Sequence, residues 1–156
     1  MSYSKYVFEE ITSLSQLPEI GKIQPETANW KTYRNENFGV ELKYPENWVV
    51  LKEDKTLITF RNINKPSQEI SILKSSGPPP ETMRYKLIET KFVYIKEIEL
   101  NRELFQGKLE DNKDDYYVRV FIPEKEIFYQ SDFKKGDLEE FLPLFNQMLS
   151  TFQFLE

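Results

Sequence analysis

The sequence predicts an α+β domain in which an antiparallel β-sheet is flanked by helices. Three observations lead there. Phe38, Val40, Leu42 and Tyr44 alternate with Gly39, Glu41 and Lys43, the period of two that marks a half-buried antiparallel strand. Aromatic residues make up 15% of the 156-residue chain, and such side chains suit a pleated, half-buried surface. Apolar stripes at helical spacing stand near both ends: Val7, Phe8, Ile11 and Leu14, then Leu138, Phe141, Leu142, Phe145, Met148 and Leu149.

The first stripe predicts a short amphipathic helix from about Ser4 to Ser15, ended by Pro18. Gly21 to Asn29 reads as a linker around Pro25, so residues 1–29 divide from a domain over 30–156. A helix this short is marginal alone in water. Its stripe is expected to lie on the domain's own sheet; a partner-binding or juxtamembrane arm is the alternative. Trp30 to Val50 follows as the stretch around which the sheet is organised. Thr32–Arg34 forms a short strand, Asn35-Glu36-Asn37 supplies a turn, and Tyr44-Pro45 reverses the chain so that Trp48 returns as a core plug.

Leu57–Phe60 and Glu69–Leu73 read as the next strands, with Ile58, Phe60, Ile70 and Ile72 inward. Ser75-Ser76-Gly77 and three prolines break the sheet. A short helix is expected over 80–89, where Tyr85, Ile88 and Phe92 share a helical face, and strand from about 91. Ile95–Leu100 and Glu103–Leu109 are expected to join at Asn101-Arg102. Tyr116–Ile122 and Glu126–Gln130 are expected to pair across Pro123-Glu124-Lys125. The closing helix starts near Asp137, with Glu140 completing a capping box, and Pro143 is expected to kink or restart it.

Several of these residues carry a family resemblance. Tyr33, Asn35, Phe38-Gly39, the alternating strand, and Tyr44-Pro45 just before Trp48 resemble the opening hairpin of PsbP-like domains. The run Phe145-Asn146-Gln147-Met148-Leu149-Ser150-Thr151-Phe152-Gln153-Phe154 is similar to the closing helix and aromatic tail of bacterial members. The superfamily includes the extrinsic PsbP subunit of photosystem II and many uncharacterised bacterial proteins, often exported or lipid-anchored. The resemblance implies an α/β/α sandwich and an extracytoplasmic setting, although no signal-peptide pattern stands in this chain. It departs from the family near residue 80, where members carry a longer helix, and at Asn101-Arg102, where they often carry a glycine.

The residue inventory excludes more than it assigns. With no cysteine and no histidine, the chain has no disulfide, thiolate nucleophile, Ser-His-Asp triad or His-metal site of its own. A net charge of −5 with no basic cluster argues against nucleic acid. No apolar run is long enough to span a membrane as a helix.

No residue is assigned a catalytic, cofactor-binding or metal-binding role. The acidic run with Asp111, Asp114 and Asp115 is the weak candidate for calcium, set against its use as a hairpin turn. Glu97, Glu99, Glu103, Glu124 and Glu126 read as a solvated face. Tyr116, Tyr117, Phe128 and Tyr129 form the candidate partner surface, because half of a two-stranded ribbon must face away from the core.

The expected function is a non-enzymatic module that binds a protein or a surface, as a monomer or weak oligomer, without a cofactor. A small-ligand carrier or carboxylate-based enzyme using a cleft beside the sheet is one alternative. An intracellular partner-binding subunit is the other. Two inward carboxylates of raised pKa in a pocket favour the enzyme; an exposed aromatic patch on the sheet favours the binder.

Overall fold

Asn35 sets the first turn of the fold. The computed structural model describes residues 27–75 and 84–156. Lys31–Asn35 (β1) and Val40–Tyr44 (β2) pair antiparallel, with Tyr33 opposite Leu42. At their junction the Asn35 Oδ1 accepts the Phe38 N–H at 2.9 Å and its carbonyl accepts the Gly39 N–H at 2.9 Å. Gly39 has φ of +73°, a conformation that only glycine adopts without strain. Pro45 then turns the chain, its carbonyl accepting the Trp48 N–H at 3.0 Å. Trp48 is buried, as its reading as a core plug requires.

The hairpin does not seed the main sheet. It pairs instead with Gln153–Phe154 (β10) in a three-stranded sheet of its own, ordered β1-β2-β10. The larger sheet holds Trp48–Glu53 (β3), Leu57–Asn62 (β4), Glu69–Lys74 (β5), Tyr85–Ile95 (β6), Ile98–Gly107 (β7), Asp115–Ile122 (β8) and Ile127–Lys134 (β9). Its order is β3-β4-β5-β9-β8-β7-β6, antiparallel at every pairing. The turn at Pro45 separates the two sheets and folds the small one back over the large one. Rings of Tyr33 and Tyr44 lie 5.3 and 5.1 Å from that of Phe60 on β4.

The same face carries the C-terminal helix, Leu138–Ser150 (α1), entered through a 3-10 turn over Lys135–Asp137. Phe141 packs on Phe133, and Phe145 packs on Tyr129 at 4.3 Å between ring centroids. The Tyr129 hydroxyl donates to the Phe145 carbonyl at 2.8 Å, which satisfies a phenol buried in the core. Ile58, Phe60, Ile70, Ile72, Val118, Val120 and Ile122 complete this layer, all fully buried. Among the described residues the helix is on one face only, so the two-sided α/β/α sandwich is corrected to a large antiparallel sheet with a single C-terminal helix. The helix expected over Ser4–Ser15, most of the linker after it, and the Gly77–Pro80 loop lie outside the described residues.

Four local expectations change. From Tyr85 onward the helix over 80–89 is strand, because Ile88, Thr90, Phe92, Val93, Tyr94 and Ile95 are β-branched or aromatic and β7 offers a full-length partner. The joint at Asn101-Arg102 is instead mid-strand; β6 and β7 turn at Lys96-Glu97, with Lys96 at φ of 55°. The capping box does not form. Asp137 precedes the helix without bonding its amides, and Asp137 and Glu140 each accept from Lys65 Nζ at 3.1 Å, tying the helix start to the β4–β5 loop. Pro143 sits inside α1, which does not restart there and continues to Ser150.

Candidate binding surface

β6 is the longest strand of the large sheet and its terminal one, hydrogen-bonded only to β7 among the described residues. An edge strand presents unpaired backbone donors and acceptors, and proteins commonly blunt such edges with charge, proline or a bulge. β6 has a bulge, where the register to β7 shifts between Leu87 and Glu89 and leaves Ile88 unopposed. From Glu89 to Ile95 the pairing is regular. The strand is also unusually apolar for an edge: Leu87 is 49% exposed, Ile88 43%, Phe92 65% and Tyr94 53%. Four large apolar side chains so close on one strand form a strip rather than scattered surface residues.

Behind the strip the sheet is tied together by charged side chains. Arg102 on β7 is buried, and its guanidinium donates to Glu89 of β6, while its Nε has no hydrogen-bond partner. Lys91 Nζ lies 3.6 Å from the other Glu89 oxygen. On the sheet face away from α1, Arg119 lies over the Phe105 ring at 4.7 Å and donates to Glu103 at 2.7 Å. That contact is the one exception among the acids read as a solvated face; Glu97, Glu99, Glu124 and Glu126 are exposed.

The four aromatics expected to form a partner surface are divided by burial. Tyr116 and Tyr129 face α1 and are buried. Phe128 faces away from it but is also buried, covered by Phe121 at 4.7 Å and by Arg119. These three offer no free surface. Tyr117 is half-buried, donating to Gln130 at 2.6 Å. The sequence hides the strip on β6 because residues 85, 88 and 92 match helical spacing. The run Thr90 to Ile95, rich in β-branched and aromatic residues, was the available signal for it.

A cleft of about 250 Å³ lies near Tyr117, lined by Ser67, Tyr85, Asp115, Asp132, Phe133, Lys134 and Asp137. Burial raises the Asp132 pKa above the usual carboxylate range, with Glu69 and Asp115 adding to the shift. Burial likewise raises the Tyr85 hydroxyl, and Asp115 contributes. Asp115 itself is held in an ion pair with Lys134. Because the folded-state pKa of Asp132 is raised, its contribution to stability is full below the unfolded pKa of about 4 and is lost as pH rises through the folded value. Asp132→Asn should therefore raise the melting temperature modestly at pH 7 and have no benefit at pH 3. Solvent at the carboxylate keeps the effect small. Melting curves at the two pH values check it.

The acidic run forms the β7–β8 turn. Asn112 organises it: its Oδ1 accepts the Leu109 N–H at 2.9 Å, its Nδ2 donates to the Arg84 carbonyl at 3.1 Å, and its own carbonyl accepts the Asp115 N–H at 2.9 Å. The fit requires glycine at 107, where a Cβ would meet the Asn112 carbonyl oxygen at 1.9 Å. Asp111 lies 3.3 Å from Arg84, and Asp115 pairs with Lys134. Among the described residues no group of three or more His, Cys, Asp or Glu side chains is placed to hold a metal ion. Chelator should leave the melting temperature unchanged and added calcium should not raise it, since a ligand of the native state must stabilise it. A calcium-dependent rise that disappears in Asp114→Asn, Asp115→Asn would contradict this.

Comparison with known proteins agrees on the fold. The chain is similar to the solution structure of cyanobacterial PsbP (CyanoP) from Synechocystis sp. PCC 6803, with a TM-score of 0.59 and 15% identity over 80% of this chain and 92% of that one. It is also similar to a crystal structure from Bacteroides thetaiotaomicron VPI-5482, with a TM-score of 0.46 and 13% identity over 81% of this chain and 48% of that one. No family model and no curated protein matches the sequence. The fold is thus PsbP-like.

Proposed function

We propose that this chain is a non-enzymatic module that binds a protein through the exposed strip on β6. The observation that carries the reading is the exposure of Leu87, Ile88, Phe92 and Tyr94 on the terminal strand of the large sheet. Aromatic side chains bury a large area at little entropic cost, which is why they anchor interfaces. An edge strand adds main-chain hydrogen bonds to that anchor when an extended segment pairs with it. The opposing reading, a small-ligand carrier or carboxylate enzyme, rests on the cleft at Asp132, whose carboxyl pKa burial raises. The PsbP-like fold hosts the module without deciding its partner. Residues 1–29 are proposed as an N-terminal amphipathic helix and linker, from the sequence, and the setting as extracytoplasmic, from the family resemblance.

Selection of binders from a random peptide library, unbiased as to site, tests the proposal. The peptides recovered should lose binding to the Phe92→Ser, Tyr94→Ser double variant and keep it with Asp132→Asn. The reverse pattern would move the function to the cleft and overturn the reading.

A further inference from the structure

The proposed binding strip carries its own complement, an inference that rests on the reading above and names the occupant of that surface. Ile88-Glu89-Thr90-Lys91-Phe92 is apolar, acidic, neutral, basic and apolar in turn, so reversed it is its own match. We infer that the β6 edge pairs antiparallel with β6 of a second copy, with Thr90 facing Thr90 across a two-fold axis.

In that register Glu89 faces Lys91 of the other copy, twice by symmetry, and Ile88 faces Phe92, also twice. Both apolar partners are among the exposed side chains of the strand. Directly opposed residues in an antiparallel pair share a face. Glu89 and Lys91 stand opposite Leu104 and Arg102 on β7, whose side chains point to the α1 side, whereas Thr90 and Phe92 point the other way. The match therefore holds on both faces. Neighbouring registers do not share it. Moving the axis one residue forward sets Lys91 against Lys91, and one residue back sets Glu89 against Glu89; like charges directly opposed are destabilising. Repulsion thus selects the register as firmly as attraction does.

Glu89 can serve both roles. One carboxylate oxygen holds Arg102, and the other, 3.6 Å from Lys91 of its own chain, is placed to exchange that partner for Lys91 of the second copy. By symmetry an Ile88 bulge lies at each end of the contact, which confines it to a short stretch. A two-fold contact of this kind closes on itself, so it yields dimers rather than fibres.

The absence of cysteine makes the test clean, because one introduced thiol is the only thiol. Opposed residues in an antiparallel pair have Cα atoms about 4.5–5.5 Å apart, within disulfide reach. Under mild oxidation Thr90→Cys should form a linked dimer, and Thr56→Cys, in the exposed β3–β4 turn, should not. In sedimentation across rising concentration, wild type should associate, and Lys91→Glu should weaken association about tenfold by turning both attractive pairs repulsive, with its melting curve unchanged. Linkage through Phe92→Cys but not Thr90→Cys would overturn this register. A wild type that stays monomeric at every concentration would overturn self-pairing; if library peptides still require Phe92 and Tyr94, the binding reading survives that result.

Discussion

Trp48→Ala should cost the domain about 3–5 kcal/mol, as other large aromatic truncations in cores do. The indole is 1% exposed and heads β3, the strand opposite β6 in the sheet order. Its backbone is held on both sides: the amide donates to the Pro45 carbonyl at 3.0 Å, and the carbonyl accepts from Lys31 Nζ at 2.8 Å. Removing the ring while the Pro45 turn holds the strand in place leaves a void that the surroundings fill only partly. Urea unfolding of wild type and variant measures the loss, and a difference under about 1 kcal/mol would contradict the packing described.

Glu89→Ala should cost about 2–3 kcal/mol. Removing one partner of a buried ion pair costs about 3–5 kcal/mol, because a charge is left uncompensated, and water reaching the half-exposed Glu89 reduces that figure. Arg102 is 4% exposed and its Nε is already unpartnered, so the guanidinium has little to fall back on. Replacing the charge as well, in Glu89→Ala, Arg102→Met, should recover most of the loss, since a well-packed apolar side chain is tolerated where an orphan cation is not. A double variant no more stable than Glu89→Ala alone would mean that the cost comes from shape and not from charge.

The parts of the fold legible in the sequence are those with a local physical cause. Alternation from Phe38 to Tyr44 and the proline at 45 announce the hairpin and the return of Trp48. Pro123 announces the β8–β9 turn, and the stripe from Leu138 announces α1. The unreadable parts depend on partners distant in the chain. The turn at Lys96-Glu97 has neither glycine nor asparagine, although Lys96 takes a positive φ. Tyr85, Ile88 and Phe92 fit a helix and a strand equally, and β7 decides between them. Nothing local says that the hairpin pairs with Gln153–Phe154 and leaves the main sheet to β3 through β9.

The same limit applies to the candidate site. Whether Tyr116 or Tyr117 turns toward α1 follows from the register of β8 with its neighbours, which the residues themselves do not encode. Phe128 points away from the helix and is buried all the same, because Arg119 and Phe121 cover it. Exposure on β6 comes from its place at the end of the strand order, a property of topology rather than of sequence.

The central claim is that the β6 strip, and not the cleft at Asp132, is where this domain makes contact. Amide hydrogen exchange with and without a selected peptide tests it most directly, because each backbone position reports separately. The account predicts new protection at Ile88–Tyr94, with the amides of β9 around Asp132 unchanged. Protection confined to Asp115, Asp132 and Lys134, with Ile88–Tyr94 exchanging as before, would contradict it.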